Sequence, residues 1–391
     1  MVDGCDPKRR PLVLHVIPTP VARGAQVEAR AIVDRLDCES REHRLLSLCA
    51  LPDGVRVDEI VSDRAAGKVP ANGSQGESRP SNGRAAYKQG SGLQPGLVLE
   101  LRAALRRLRP SLVVAHGGDP LKYLVASGSR RRRPLAYYAI GTLTRPACHG
   151  GRRALWKGFV ARADVVACEG EEVLEECRRV LGVASDRLVL APNGRDPEKF
   201  RPRVPGASTN APSVITFVGS LSPGKRPDVF VKVVKGLRER GLEFDATMIG
   251  DGSMRDTLRA PAEAAGVRML GSRDDVADLL RASDVMIFPS RPQGEGMPGV
   301  LIEAGLSGVP VVATAVPGVR SIVAHGETGL VVDVNDVDSL MESTACLLQD
   351  PARREKMGRR ARDRCMERFT LDAVEANWTS FLTPLLDRNG Q

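Results

Sequence analysis

The chain has 391 residues, of which 42% are hydrophobic and 27% charged. The hydrophobic fraction excludes global disorder, and the length is too great for one ordinary core. Lys and Arg number 57 against 48 Asp and Glu, giving a net charge of +9. No apolar stretch approaches the ~20 residues that a membrane span needs, and residues 1–10 lack the apolar segment of a signal peptide. We therefore expect a cytoplasmic protein of two domains.

The basic excess is spread along the chain, with one tight run of arginines at 130–133. A basic surface is compatible with nucleic acid, an anionic membrane or anionic substrates. Aromatic residues make up only 4% of the chain, too few for the stacking platforms of single-strand binders. We therefore expect no nucleic-acid partner. A peripheral contact with the anionic inner face of a membrane, and a lipid-linked acceptor there, are compatible with the charge.

The eight cysteines are scattered along the chain without a Cys-x-x-Cys pair. This spacing favours reduced thiols over a disulfide framework or a zinc site.

Up to about residue 200, short β-branched runs alternate with amphipathic helical stretches. The predicted strands are 12–17, 45–48, 112–115, 135–140, 164–168 and 188–191, and the predicted helices are 25–36, 97–108, 121–127, 153–162 and 171–181. This order predicts a mostly parallel sheet with helices on both faces. Residues 66–92 are crowded with Gly, Ser, Asn and Pro, so we interpret them as a flexible insertion in this first domain, 1–200.

Residues 201–213 are proline-rich and are predicted to be a linker, after which the alternation starts again. In the second domain, 214–369, the predicted strands are 214–218, 246–249, 267–270, 285–288, 311–313 and 329–332, and the predicted helices are 228–240, 254–265, 276–282, 300–306, 319–324 and 337–349. The sequence thus predicts an α/β protein of two Rossmann-like, doubly wound domains facing a cleft, where a ligand would bind.

The tail is predicted to be helical from 352 to 386, with a break near Thr370. Its last helix, within 370–391, either crosses back to the first domain or packs on the second domain alone.

Two strand-to-helix loops of the first domain carry candidate functional residues. Gly24 lies in a small-residue turn before a helix, where backbone N–H groups can approach an anion or a sugar. An ordinary turn explains this pattern equally well. His116 ends a strand and precedes two glycines, which places it beside the expected cleft. A structural histidine with its hydrogen bonds satisfied is the alternative.

The first loop of the second domain combines backbone access with positive charge. Gly219 and Gly224 open this loop, and Lys225 and Arg226 precede a helix. A diphosphate needs that combination. A solvated basic turn is the alternative.

The loop after the predicted strand 285–288 is the strongest candidate. Glycines and a proline mark a tight turn into a helix, so backbone N–H groups near Gly299 and Val300 should point into the cleft. Glu295 lies in the loop. Glu303 lies one turn into the helix among apolar neighbours, so its carboxylate needs a partner. A pair of sugar hydroxyls would serve, and an ion pair with an arginine is the alternative.

These two glutamates, separated by seven intervening residues within 289–314, resemble the signature of the retaining glycosyltransferases of family 4, which have the GT-B fold. The similarity covers most of the second domain, through 219–225, 250–252, 282–285 and 318–331. It is looser in the first domain, where it rests on 14–17, Gly24, His116 and the segment 192–196, which is similar to the family's Asn-Gly-Val-Asp.

The resemblance implies that the second domain binds a nucleotide-sugar donor and that the first domain binds the acceptor. Lys225 matches the lysine that neutralises the donor diphosphate, and Glu303 matches the carboxylate that holds the ribose hydroxyls. Glu295 matches the carboxylate that contacts the transferred sugar near its 3-hydroxyl, and His116 matches the histidine beside the sugar's reacting face.

The resemblance also implies that the loop at 271–273 lies against the nucleobase. The arginine that the family usually has directly after Gly219 is replaced by Ser220, so either Arg226 substitutes for it or backbone donors hold more of the phosphate charge. The expected catalytic residues are His116 and Glu295. The expected donor-binding residues are Gly24, Gly219, Ser220, Lys225, Arg226, Gly252, Ser272, Gly296, Met297, Pro298, Gly299, Val300 and Glu303.

The implied reaction moves a sugar from a UDP- or GDP-linked donor to a hydroxyl of a glycan, a glycolipid or a small molecule. Lys225 and helix-terminal N–H groups would stabilise the leaving diphosphate. Front-face attack is favoured over a covalent glycosyl-enzyme. No cofactor is expected, and no catalytic metal, because no Asp-x-Asp follows a predicted strand. The alternatives are another GT-B enzyme, such as a nucleotide-sugar epimerase or a phosphorylase, and a non-catalytic binding protein.

Overall fold

The computed structural model describes residues 10–20, 24–50, 55–62, 92–128, 133–141, 150–203, 212–292 and 295–388. Within these ranges the chain forms two compact units. The first unit contains the described residues up to 192 together with those from 374 onward, and the second unit is Asn193–Ala373. Apart from Gly92, the predicted insertion 66–92 lies outside the described residues, as do residues 204–211 of the predicted linker.

The first unit is built on a seven-stranded parallel sheet. Its strands are β1 Leu12–Ile17, β2 Glu42–Ser47, β3 Glu59–Ile60, β4 Leu112–His116, β5 Leu135–Ala139, β6 Val165–Cys168 and β7 Leu188–Leu190, in the order β3-β2-β1-β4-β5-β6-β7. Its helices are α1 Gly24–Leu36, α2 Pro95–Leu108, α3 Gly118–Ala126, α4 Gly150–Val160 and α5 Glu171–Arg179. Every residue of β1 is buried, because helices cover both faces of the sheet.

The second unit repeats this plan with six parallel strands. They are β8 Ser213–Val218, β9 Phe244–Ile249, β10 Val267–Gly271, β11 Val285–Phe288, β12 Val311–Thr314 and β13 Gly329–Val332, in the order β10-β9-β8-β11-β12-β13. The helices are α6 Pro227–Glu239, α7 Arg255–Ala264, α8 Val276–Arg281, α9 Gly299–Leu306, α10 Val319–Ile322, α11 Val337–Gln349 and α12 Pro351–Arg368. The predicted α/β class with two Rossmann-like sheets is confirmed.

The strand order reverses between β8 and β11 in the second sheet. At such a reversal the chains leave the sheet in opposite directions, which opens a crevice at the carboxyl ends of the strands. The loops that follow β8 and β11 border this crevice. They are the loops that contain Lys225 and Glu295.

The last helix, α13 Leu371–Asp387, contributes its apolar face to the core of the first unit. Side chains from β1, α1, β4, β5 and β6 surround this face, whose buried residues are Val374, Trp378, Phe381, Leu382 and Leu385. Trp378 is fully buried, with its ring stacked on that of His116 at a centroid distance of 5.8 Å.

The cysteines within the described residues are free thiols. Cys49, Cys168, Cys177 and Cys365 are buried, where a thiol acts as a small apolar side chain.

Trp378→Ala should lower the free energy of unfolding of the first unit by about 3–5 kcal/mol, because it empties a large, fully enclosed volume. The matched control is Leu99→Ala on α2, where the side chain is 64% exposed, and its effect should stay within about 0.5 kcal/mol. Urea unfolding followed by circular dichroism measures both. Equal midpoints for the two variants would contradict the packing described for α13.

Candidate active site

The loops that follow β8, β9 and β11 form one connected edge of the second sheet. The backbone N–H of Leu221, after β8, donates to the carbonyl of Asp251, after β9, at 2.9 Å. The N–H of Arg291, after β11, donates to the carbonyl of Gly224 at 2.8 Å. These bonds hold the three loops together at the crevice.

Glycines allow the loops after β8 and β9 to touch backbone to backbone. Gly250 has φ +131°, and a Cβ there would overlap the carbonyl group of Gly219, 2.9 Å from its carbon. A Cβ at Gly252 would likewise lie only 2.6 Å from the carbonyl oxygen of Leu221. Any side chain at Gly250 would be strained as well as crowded. The structure thus gives these glycines a packing role, and the predicted donor contacts of Gly219 and Gly252 stay predictions.

The two serines among the predicted donor residues are exposed at this edge. Ser220 follows β8, and Ser272 follows β10, next to Gly271. The carbonyl of Gly271 accepts a hydrogen bond from the N–H of Gly250 at 2.8 Å, which ties the predicted nucleobase loop to the other loops. Arg273 in this loop forms an ion pair with Asp275 at 2.6 Å.

Lys225 and Glu295 form an ion pair across the crevice between the β8 and β11 loops. The Lys225 Nζ donates to Glu295 Oε1 at 2.5 Å and lies 5.4 Å from the centroid of the Phe288 ring. The Glu295 side chain is 5% exposed, whereas that of Lys225 is 29% exposed. A carboxylate buried this deeply requires a cation or several hydrogen bonds. The ammonium group, with three donors, keeps contact with the open edge.

Helix α9 begins beside this pair. Its N-cap residue is Pro298, and no side chain caps this end. Met297 and Pro298 are buried, while Gly296, Gly299 and Val300 are partly exposed. The first backbone N–H groups of a helix have no intrahelical acceptor, so they provide positive partial charge at the surface of the crevice.

Glu303 projects from the first turns of α9 and is paired with Arg195. The Arg195 Nε donates to Glu303 Oε1 at 2.6 Å, and the side chains are 20% and 18% exposed. This is the arginine ion pair that the sequence left open as the alternative to sugar hydroxyls. A carboxylate accepts at both oxygens, with about four lone-pair directions, so one Arg195 bond is compatible with further bonds to hydroxyls.

The segment that carries Arg195 is anchored at several points. The Asn193 side-chain amide donates to the Met297 carbonyl at 3.1 Å. The Arg195 N–H donates to the carbonyl of Phe369 at 2.9 Å, and the same residue forms a β-bridge with Thr370. Sequence reasoning gave this segment only a place in the family pattern. The signal that the sequence offered for a role of this segment was Arg195 itself, which stands where the family pattern has valine.

Arg226, which the sequence offered as a substitute for the missing arginine at position 220, lies at the N-cap of α6 with φ 54°. Its guanidinium donates to Asp228 at 3.1 Å and to Asn335 Oδ1 at 3.2 Å. It is therefore engaged by the first turn of its own helix and by the loop after β13.

The two predicted site residues of the first unit differ in their surroundings. Gly24 is the first residue of α1, and residues 21–23 before it lie outside the described residues. His116 ends β4 as predicted, but it is only 3% exposed. Its Nε2 lies 2.8 Å from His15 Nδ1, and His15 Nε2 lies 3.0 Å from His43 Nδ1. The buried, hydrogen-bonded histidine was the sequence's alternative; the catalytic role of His116 stays a prediction.

These three histidines form a chain of imidazoles across β4, β1 and β2. Burial lowers the pKa of His116 to about 3 and that of His43 to about 4, the latter with help from Arg41. Burial also holds the pKa of His15 well below its usual value. All three rings are therefore neutral at pH 7. Each can donate one hydrogen bond and accept one, which suits a linear chain.

Comparisons with known proteins agree with this architecture. The family model described as "Glycosyltransferase Family 4" matches residues 49–199, and "Glycosyl transferases group 1" matches residues 201–364. The chain belongs to glycosyltransferase family 4.

Two curated relatives of this family-4 chain are 32% and 30% identical to it. The first is a D-inositol 3-phosphate glycosyltransferase of Corynebacterium glutamicum, with 53% of this chain aligned to 54% of the relative. The second is a UDP-Gal:alpha-D-GlcNAc-diphosphoundecaprenol alpha-1,3-galactosyltransferase of Escherichia coli, with 47% aligned to 51%. The family-4 chain therefore spans about half the length of the curated relatives it matches.

A solved structure extends the likeness in fold to nearly the whole chain. HepE of Anabaena, in complex with UDP and glucose, superposes with a TM-score of 0.72 at 18% identity, covering 95% of this chain and 99% of HepE. At this level of identity the likeness concerns the fold.

Two features are absent from the described ranges. No helix there combines the length and the apolar character that crossing a bilayer requires. No group of three or more His, Cys, Asp or Glu side chains in those ranges is arranged to hold a metal ion.

The histidine chain should make the stability of this family-4 protein depend on pH. Because its folded-state pKa values lie below the unfolded value of about 6.5, the unfolded state binds more protons below that pH. Stability present above pH 6.5 is therefore lost as the pH falls towards 4, at up to about 1.4 kcal/mol per pH unit for each histidine. His43→Gln should flatten the profile between pH 6.5 and 4 by up to one such contribution.

Urea unfolding of both proteins at a series of pH values measures this effect. At pH 8, His43 is neutral in both the folded and the unfolded state. The difference in free energy of unfolding between the wild type and His43→Gln at that pH therefore gives the packing cost of the substitution. Parallel profiles from pH 8 to pH 4 would contradict the neutral, buried state of His43.

Proposed function

We propose that this protein is a retaining glycosyltransferase that moves a sugar from a nucleoside-diphosphate sugar to an acceptor hydroxyl. The observation that carries the proposal is the Lys225–Glu295 pair, at 2.5 Å, beside the uncapped start of α9. Family-4 membership supports the reaction class. The two curated relatives described above are glycosyltransferases by name, and HepE, which has the same fold, holds UDP and glucose.

The donor's diphosphate would lie against the start of α9, within reach of Lys225. Cleavage of the bond between the sugar and the diphosphate leaves negative charge on the diphosphate oxygens. Oriented N–H groups and a fixed ammonium stabilise that charge without reorganising. In this proposal the backbone of Gly219 and of 296–300 lines the diphosphate-binding surface, and Gly252, Ser220 and Ser272 lie at the edges of that surface.

The two glutamates of α9 and its preceding loop would hold the two ends of the donor. Glu303 would accept the ribose hydroxyls while its bond to Arg195 persists, and Glu295 would accept a hydroxyl of the transferred sugar. Because Lys225 is bound to Glu295, the groups for sugar and phosphate are linked directly. This linkage would fix the position of the sugar's anomeric carbon relative to the diphosphate oxygen that leaves.

For the chemical step we propose front-face attack. The acceptor oxygen forms a bond to the anomeric carbon while the bond from that carbon to the diphosphate oxygen breaks. The leaving phosphate oxygen takes the acceptor's proton, so no protein base is required. His116, if it contacts the sugar, would act as a neutral hydrogen-bonding group through Nδ1, the ring atom without a partner among the described residues.

The proposed acceptor is a hydroxyl compound with an anionic portion, a lipid-linked one included. Helix α4 supports this choice, because it carries Arg152, Arg153 and Lys157 around Leu155, whose side chain is 59% exposed. A basic helix with an exposed apolar residue suits an anionic membrane surface. The free thiols support a cytoplasmic location at such a membrane.

The donor assignment is tested by thermal shift and turnover with UDP, GDP and ADP and their sugars. A nucleotide present at 100 times its dissociation constant should stabilise the native state by about 2.7 kcal/mol. Glu303→Gln should weaken binding of that nucleotide about 10- to 100-fold, the cost of losing hydrogen bonds to a charged group. The control Glu263→Gln, at an exposed position of α7, should match the wild type.

Turnover separates the alternatives. Transfer to an acceptor with retained anomeric configuration supports the proposal, whereas epimerised nucleotide sugar identifies an epimerase. Binding without turnover of any donor and acceptor would identify a binding protein. A Glu303→Gln protein with wild-type affinity and rate would contradict the placement of the donor.

A further inference from the structure

We infer that Arg195 is the second cation of the donor's diphosphate site and replaces the arginine that is absent at position 220. This inference rests on the function proposed above. It concerns a residue to which family resemblance gives no role, because the corresponding pattern has valine there.

The Arg195 guanidinium lies directly at the start of α9. A Cβ at Gly299 would overlap this group, 2.6 Å from its Cζ. The Nε donates to Glu303 at 2.6 Å, and Nη1 donates to the Gly194 carbonyl at 2.8 Å. The guanidinium and the first N–H groups of the helix therefore meet at the same point of the crevice, where the proposed diphosphate lies.

The charge of the proposed donor favours a second cation at the site. A nucleoside diphosphate carries two or more negative charges, and Lys225 supplies one positive charge that it shares with Glu295. Position 220 carries an exposed serine. Arg226 lies at the start of α6, where it donates to Asp228 and Asn335. Arg195, although paired with Glu303, has its guanidinium against Gly299 at the start of α9.

Arg195 is also held in place before any donor binds. Its backbone is fixed by the bridge to Thr370 and by the bond to the Phe369 carbonyl, and its side chain is fixed by Glu303. A preorganised group loses little conformational entropy on binding. The planar fork of an arginine matches phosphate oxygens better than an ammonium does. Because Arg195 is bonded to Glu303, the group proposed to contact the phosphate would be held in a fixed position relative to the group proposed to contact the ribose.

The test compares the dissociation constants of a nucleoside diphosphate and of its nucleoside. Wild type, Arg195→Gln and Arg195→Lys are titrated with whichever of UDP, GDP or ADP binds, by calorimetry, and with the matching nucleoside, by ligand-observed NMR. Arg195→Gln should weaken the diphosphate about 10- to 100-fold and the nucleoside less than about threefold. Arg195→Lys should fall between, because it keeps the charge without the fork.

The matched control is Arg259→Gln, which removes the same charge from an exposed ion pair on α7 and should bind both ligands as the wild type does. Equal affinity of Arg195→Gln and wild type for the diphosphate would overturn the inference. An equal loss for diphosphate and nucleoside would overturn it too, because Arg195 would then act only through Glu303. A wild-type protein that binds none of the three diphosphates would overturn the proposed function itself.

Gly299→Ala provides a second route that leaves the arginine in the chain. The added methyl group displaces the guanidinium from α9, so this variant should reproduce the diphosphate-selective loss. In the double variant Gly299→Ala/Arg195→Gln, the two losses of diphosphate affinity should not multiply, since both substitutions remove the same interaction between Arg195 and the diphosphate. Fully multiplicative losses would contradict a contact made by Arg195.

Discussion

The crevice of the second unit depends on the requirement that a carboxylate largely withdrawn from water be paired with a cation. Glu295, 5% exposed, holds Lys225, and Glu303, 18% exposed, holds Arg195. Removing a carboxylate from water costs several kcal/mol unless such a partner is present. Each pair thus fixes a cation at the start of α9, and in the proposed reaction both would be in position when negative charge develops on the leaving group.

The first unit pairs three of its buried polar side chains with one another instead of with charges. His116, His15 and His43 bond to one another, and burial keeps them neutral. Trp378 from the last helix covers the end of this chain of rings. The same strand end that would offer a histidine to a substrate therefore also forms part of the hydrophobic core, so access to His116 is linked to the packing of α13.

Much of the fold follows from the sequence because strands buried on both faces appear as continuous apolar runs. Strand β1 and strand β11 coincide with their predicted ranges for this reason. Strand β3 has two residues, too few to show a period. The Arg195–Glu303 pair joins segments far apart in the chain, so only the need of Glu303 for a partner could be predicted. The burial of His116 depends on Trp378, whose packing the local pattern leaves undetermined.

The contact between Arg195 and Gly299 also limits how this protein can change. A methyl group at 299 would occupy the space of the guanidinium, so the arginine side chain would have to move away from α9. Substitutions at the two positions should therefore be epistatic for any function that needs the arginine beside this helix. Grafting the α9 loop of another family member into this scaffold would keep the contact only where the graft also brings glycine to position 299.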